Sequence, residues 1–204
     1  MNYLAHTLLA GPDPQLQLGG VLGDFWRGAP DAAWSPGLRA GVMLHRHIDT
    51  FTDAHALLVE ARALFVPPQR RYAGILLDVY FDHLLARDFS RYSDQLLAPF
   101  SARMMLLLRE SQPQMPLPMR RFIRYIDTHG GFAAYADPQV IVEVLRGIGQ
   151  RLKHANPLAE SAAPLFALAA PLSELFAMFF PILMQFADGE RVRLLQLESA
   201  NPQS

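Results

Sequence analysis

Apolar residues recur along this chain at spacings of three and four, and prolines or glycines fall between the runs. The pattern predicts helices over 2–10, 16–26, 36–52, 54–65, 70–90, 93–111, 117–135, 138–152, 160–187 and 189–198. "RGAPDAAWSPG" and "SQPQMPLP" read as loops. "DPQVIVEVLRGIG" reads as a helix with Asp137 as its cap and Pro138 at its first position. Strand signals are few, and no fixed-period repeat, low-complexity run or interdomain linker interrupts the pattern. The expectation is an all-α, single-domain helical bundle over residues 1–204.

The most membrane-like stretch is "SAAPLFALAAPLSELFAMFFPILMQFA", Ser161 to Ala187. Glu174 divides it, and Pro164, Pro171 and Pro181 interrupt it. A spanning helix wants about 20 largely uninterrupted apolar residues, so a buried core helix is expected instead. "MNYLAHTLLAGPDPQ" lacks the basic start of an export signal. A soluble, cytoplasmic protein without membrane insertion is expected.

Composition narrows the chemistry. With 51% hydrophobic residues and a net charge of -1, the chain is neither disordered nor a broadly basic nucleic-acid binder. The absence of cysteine excludes disulfides, thiolate metal sites and a cysteine nucleophile. All but one of the 18 Lys+Arg residues are arginine, the side chain suited to two-pronged grips on carboxylate or phosphate, although a genome-wide bias gives the same count.

Several polar residues sit in apolar surroundings. "LLDVYFDHLLARDF" carries Asp78, Asp82 and His83; Asp78 and Asp82 share a helix face, where like charges repel unless a cation meets them. His6 lies in "NYLAHTLLA", and Asp24 ends an apolar run in "LGDFWRG". In "MLHRHIDTFTD", at about 100° per residue, His45, Asp49 and Asp53 form one strip, with His47 on the opposite side. Each has an ordinary alternative. Asp24 could cap a helix, His6 could be a satisfied core histidine, and Asp78 and Asp82 could bond to Arg46, Arg27 or Arg87. Together they form a set of oxygen and imidazole donors suited to Mn, Mg, Fe or Zn. No Glu-x-x-His is present, which argues against a ferritin-like di-iron bundle, and no Gly-rich phosphate loop appears. The chemistry alone reaches a helical metal-dependent hydrolase.

The blocks "NYLAH" at 2–6, "GDFWRG" at 23–28, "HRHIDTFTD" at 45–53 and "LDVYFDHLLAR" at 77–87 resemble the acyl carrier protein phosphodiesterase family, the holo-ACP hydrolases. "VLRGIGQR" at 144–151 and "FFP" at 179–181 are weaker echoes. At His47 the family pattern commonly has another basic residue, in line with the helical phase that removes His47 from the strip. The resemblance implies a fold related to HD-domain phosphohydrolases, with the adjacent pair reversed as Asp82-His83. It also implies a manganese-dependent enzyme of lipid metabolism, linked to fatty acid biosynthesis, with Mg2+ or Fe2+ as alternative ions. Such an enzyme hydrolyses the phosphodiester between 4'-phosphopantetheine and the serine of holo-acyl carrier protein.

With that activity, the expected metal ligands are Asp24, His45, Asp49, Asp78 and Asp82. His83 or His6 is the expected acid for the leaving oxygen, and Arg46 and Arg27 are expected to hold phosphate or orient a carboxylate. The implied carrier is strongly acidic, so Arg70 and Arg71 are the preferred docking patch, with Arg120, Arg121 and Arg124 as the competitor. Two other readings stay open: a nucleotide or small phosphoester hydrolase of the same fold, and a non-enzymatic helical binding protein.

Overall fold

Prolines paired with short polar caps set where several helices begin. Asp13 accepts the N–H groups of Gln15 (2.7 Å) and Leu16 (3.2 Å) ahead of α2. Ser35 Oγ accepts from Leu38 N–H (3.2 Å) ahead of α3, and Asp137 accepts from Gln139 N–H (2.9 Å) ahead of α8. In each case proline takes the first helical turn, where its missing N–H costs nothing. The structure, a computed structural model, describes residues 2–200. Its helices are α1 (Tyr3–Leu9), α2 (Pro14–Leu22), α3 (Pro36–Ala54), α4 (Ala56–Ala63), α5 (Ala73–Arg87), α6 (Leu97–Ser111), α7 (Leu117–Thr128), α8 (Pro138–Arg151), α9 (Ala162–Ala167) and α10 (Ala169–Ala200). Short 3₁₀ turns join several of them, and no strand occurs among the described residues. The all-α expectation holds.

Several boundaries differ from the sequence pattern; α2 ends at Leu22 rather than 26, and α6 begins at Leu97 rather than 93. The helix expected over 117–135 stops at Thr128, because Gly130 (φ +84°) and Gly131 (φ +66°) adopt the left-handed conformation. The expected break near residue 188 is absent. The chain instead turns at Leu168, and α10 runs through Gly189 with the Asp188–Arg191 ion pair (2.9 Å) spanning that position. The helix expected from residue 70 begins as a 3₁₀ turn, Gln69–Tyr72, before α5.

α5 is the buried axis of the molecule, and α1, α4, α8 and α10 pack around it. α2 and α3 approach unusually closely. A Cβ on Gly19 would lie 2.6 Å from the Leu38 carbonyl oxygen, and one on Gly41 would lie 2.5 Å from that of Leu16. Only hydrogen fits at either position. α10 buries a stripe including Leu172, Phe176, Phe179 and Leu183. It lies along α3, where the Phe51 ring stacks on Phe186 (4.2 Å between centroids) and Arg39 Nε donates to Glu198 (2.9 Å). By length and composition α10 could also cross a membrane, having an 18-residue window of mean hydropathy 1.4 that is 33% buried.

Candidate metal centre

α1 carries His6, and its start is held from a distance. Asn2 offers no side-chain cap, and the Leu4 and Ala5 N–H groups donate instead to Asp82 on α5 at 2.8 and 3.0 Å. Orphan N–H groups at a helix start need acceptors, and a carboxylate also suits the positive end of the helix. The glycine contact between α2 and α3 then brings His45 beneath α1. The His6 and His45 rings stack at 3.9 Å, and a Cβ on Gly23 would sit 2.4 Å from the His45 ring.

Asp49, one turn after His45 on α3, joins the two histidines. Its Oδ1 lies 3.1 Å from His6 Nε2 and its Oδ2 lies 3.1 Å from His45 Nε2. Asp24, in the loop after α2, places Oδ1 3.5 Å from His45 Nε2. His45 Nδ1 lies 2.7 Å from the Gly20 carbonyl. A carbonyl only accepts, so Nδ1 carries the proton and Nε2 faces the cluster. Metal-ligating histidines are commonly oriented in this way. One ligand atom each from His6, His45 and Asp49 fall within 4.8 Å of one another. Two imidazole nitrogens and a carboxylate, with a further carboxylate at the edge, fit a divalent cation. Both histidines are buried, while Asp24 (44%) and Asp49 (38%) keep side-chain exposure, so the cluster opens to solvent on its acidic side.

The charges are strongly coupled. Burial pushes the His45 pKa down, but bonds to Asp24 and Asp49 outweigh it and raise the value to about 9. Burial and the neighbouring His45 charge lower His6 to about 4. Burial raises both Asp49 and Asp24, yet their histidine partners bring each below the usual carboxylate range. The metal-free cluster therefore holds one imidazolium between two carboxylates.

The remaining expected site residues are placed as follows. Asp78 lines a cavity next to the cluster, and burial, followed by the fields of Asp49 and Asp53, raises its pKa. Asp82 is fully buried, and both of its oxygens serve α1 rather than the cluster. His83 also lies outside: its Nδ1–H donates to the Tyr135 carbonyl (2.8 Å), and its ring lies 5.6 Å from that of Tyr80. Arg46 holds the loop that carries Asp24, donating through Nη2 to the Trp26 carbonyl at 3.0 Å. His47 pairs with Glu190 on α10, away from the strip as its phase requires, and Asp53 pairs with Arg62. Arg70 and Arg71 are exposed in the 3₁₀ turn before α5.

The cavity has a volume of about 550 Å³ and lies between α1, α5, α7 and α8. Tyr3 and Phe25 separate it from the cluster, and they pack with Phe122 (Tyr3–Phe122 4.1 Å, Phe25–Phe122 5.5 Å).

The family model described as "Acyl carrier protein phosphodiesterase" matches residues 1–183. A protein of that name from Yersinia enterocolitica is 34% identical over 193 residues, covering 94% of this chain and 100% of the relative. The Serratia proteamaculans protein of that name is 35% identical over 197 residues, with the same coverages. This chain belongs to the acyl carrier protein phosphodiesterase family. The protein of that name from Escherichia coli O157:H7 is 34% identical over 192 residues, covering 90% of this chain and 96% of the relative. No solved structure matches the chain.

Within this family member, every residue of the cluster stands out in the sequence, where His6 is an expected acid and the choice of acid and ligand among the histidines stays open. The helical phase of a short first helix says nothing about which ring lies over which. Tyr3 and the glycines do not stand out in the sequence. The run "LGGVLG" facing Gly41 was the available sign that two backbones meet.

Proposed function

We propose that this chain is a metal-dependent phosphodiesterase that cuts the bond between 4'-phosphopantetheine and the serine of holo-acyl carrier protein. The products are apo-carrier protein and free 4'-phosphopantetheine. The observation that carries the reading is the His6–His45–Asp49 cluster, with Asp24 at its open edge and a cavity alongside. The names of the relatives support the substrate.

In this reading His6, His45 and Asp49 would hold the cation and Asp24 would complete the set, with Mn2+ the ion that the family resemblance implies. A divalent ion held there would supply polarisation of a phosphoryl oxygen and activation of water. The chain's own residues do the rest. Gly20 fixes the tautomer of His45, and Asp82 fixes α1 and with it His6. Asp24 and Asp49 are lowered and lie at the open edge of the cluster, while Asp78, which lines the cavity, is raised. His83 faces Tyr135 and His6 faces Asp49, so neither is assigned the proton for the leaving serine oxygen.

Kinship with HD phosphohydrolases, a cytoplasmic location and carrier docking at Arg70 and Arg71 belong to the same proposal. Arg120 is the weaker docking candidate because its Nε donates to the Met115 carbonyl at 2.6 Å. The test is to incubate the Mn-loaded protein with holo-carrier protein and identify the small product. Release of 4'-phosphopantetheine supports the reading. An intact holo-carrier, with cleavage of nucleotides or simple phosphodiesters instead, points to the other hydrolase reading.

A further inference from the structure

The cavity beside the cluster has a composition that selects its occupant. Its volume of about 550 Å³ is that of a small-molecule site. Its walls are apolar or aromatic, and its interior polar groups include uncharged ones from Asn2 and tyrosine hydroxyls. Charge is confined to Asp78, beside the cluster, and to Arg121 and Arg151, which are exposed at its rim. Two of its walls are single helical turns: Ile75 and Val79 on α5, and Val144 and Ile148 on α8. It also joins the cluster by construction. Tyr3 lies one turn before His6 on α1, and Phe25 directly follows Asp24.

We infer that this cavity seats the pantetheine arm of the substrate, a flexible chain of uncharged amides and one hydroxyl, while the attached phosphodiester lies at the His6–His45–Asp49 cluster. The inference rests on the proposed function and specifies which surface of the site recognises the prosthetic group. An uncharged arm matches an apolar tube with scattered neutral donors and acceptors, in which a second phosphate would be poorly placed. A purine or pyrimidine base fits less well. Tyr3 and Phe122 turn their rings toward each other at 4.1 Å, which leaves no open slot between them for a stacked base. The carrier itself stays outside, because Asp24 and Asp49 present the cluster at the surface.

Val144 and Ile148 are half-buried on the cavity face of α8, so a larger side chain there fills the cavity rather than the core. The variants are Ile148→Trp and Val144→Trp, with Arg146→Trp on the exposed face of the same helix as control. Two readings are taken on Mn-loaded protein of wild-type helix content. In the first, KM for holo-carrier protein is expected to rise at least tenfold in both cavity variants, with bound Mn2+ at the wild-type level. In the second, titration calorimetry with free pantetheine is expected to give saturable heat with wild type and the control, and none with the cavity variants. Unchanged KM and pantetheine binding in both cavity variants overturn the inference while leaving the proposed function intact. Failure of the wild type to release the arm from holo-carrier overturns the proposed function itself, whatever the calorimetry gives. Loss of bound Mn2+ together with holo-carrier turnover shows damage to the cluster and also counts against the inference.

Discussion

Both oxygens of Asp49 are engaged, one by each histidine, so a single carboxylate holds two imidazoles in register. Asp49→Asn keeps the shape but leaves one acceptor oxygen and removes the charge. It is expected to weaken Mn2+ binding more than about 100-fold, the upper end of what even outer-shell changes cost, with helix content unchanged. Near-wild-type metal content after dialysis against Mn2+ counts against Asp49 as a ligand. Asp78→Asn is expected to behave differently. Metal binding persists, because Asp78 lines the cavity rather than the His6–His45–Asp49 cluster. Asp82 acts through α1, so Asp82→Ala leaves two buried N–H groups unmet at about 1–3 kcal/mol each and is expected to lower Tm first. If Asp82→Ala abolishes metal binding with Tm intact, Asp82 is a ligand after all.

His45 has a folded pKa of about 9 against 6.5 unfolded, so its contribution is full below pH 6.5 and is lost as pH rises through 9. Asp82, raised by burial to about 7, is also above its unfolded value, so its contribution is lost as pH rises through 7. His6 has the opposite sign: its contribution is full above pH 6.5 and is lost as pH falls toward 4. The metal-free protein is thus expected to lose stability from pH 6.5 to 9. In the proposed site a bound cation displaces the His45 proton, so the Tm gain on adding Mn2+ is expected to grow across the same range. A gain that stays flat from pH 6.5 to 9 in thermal scans contradicts the assignment of His45.

Among the elements, the α2–α3 contact sets the height of His45 beneath His6. Gly41→Leu drives a side chain into the α2 backbone and is expected to cost about 1–3 kcal/mol or more by overpacking. Gly23→Ala meets the His45 ring itself, so metal affinity is expected to fall further than Tm. Equal metal binding by Gly23→Ala and wild type removes this constraint. The helices themselves were legible in the sequence, because the apolar period survives in α3, α7 and α8. The phase argument on α3 separated His45 and Asp49 from His47, which turns instead to Glu190. Relations between elements were not legible. Asp78 and Asp82 share a helix face, yet one lines the cavity and the other bonds a helix start 78 residues away in sequence. A period along one helix cannot show what lies across it.

For the whole molecule, the proposed encounter with an acidic carrier depends on long-range charge. Arg70 and Arg71 are exposed on the turn leading into α5, whose later residue Asp78 reaches the cavity. Reversing both to Glu is expected to raise KM for holo-carrier with little change in kcat. The effect is expected to fade with salt, as the Debye length shrinks from about 10 Å at 0.1 M to about 3 Å at 1 M. A larger effect from reversing Arg124, which is exposed on α7 outside the cavity lining, moves the docking face to α7.

Metal dependence and the role of Asp49 are both read from the intact mass of holo-carrier protein after incubation with three preparations: metal-free wild type, wild type reloaded with Mn2+, and Asp49→Asn treated identically. The reloaded wild type is predicted to convert holo-carrier to apo-carrier, with 4'-phosphopantetheine in solution, while the other two leave the mass unchanged. Conversion by metal-free protein, or equal conversion by Asp49→Asn, contradicts a metal-dependent phosphodiesterase built on His6, His45 and Asp49.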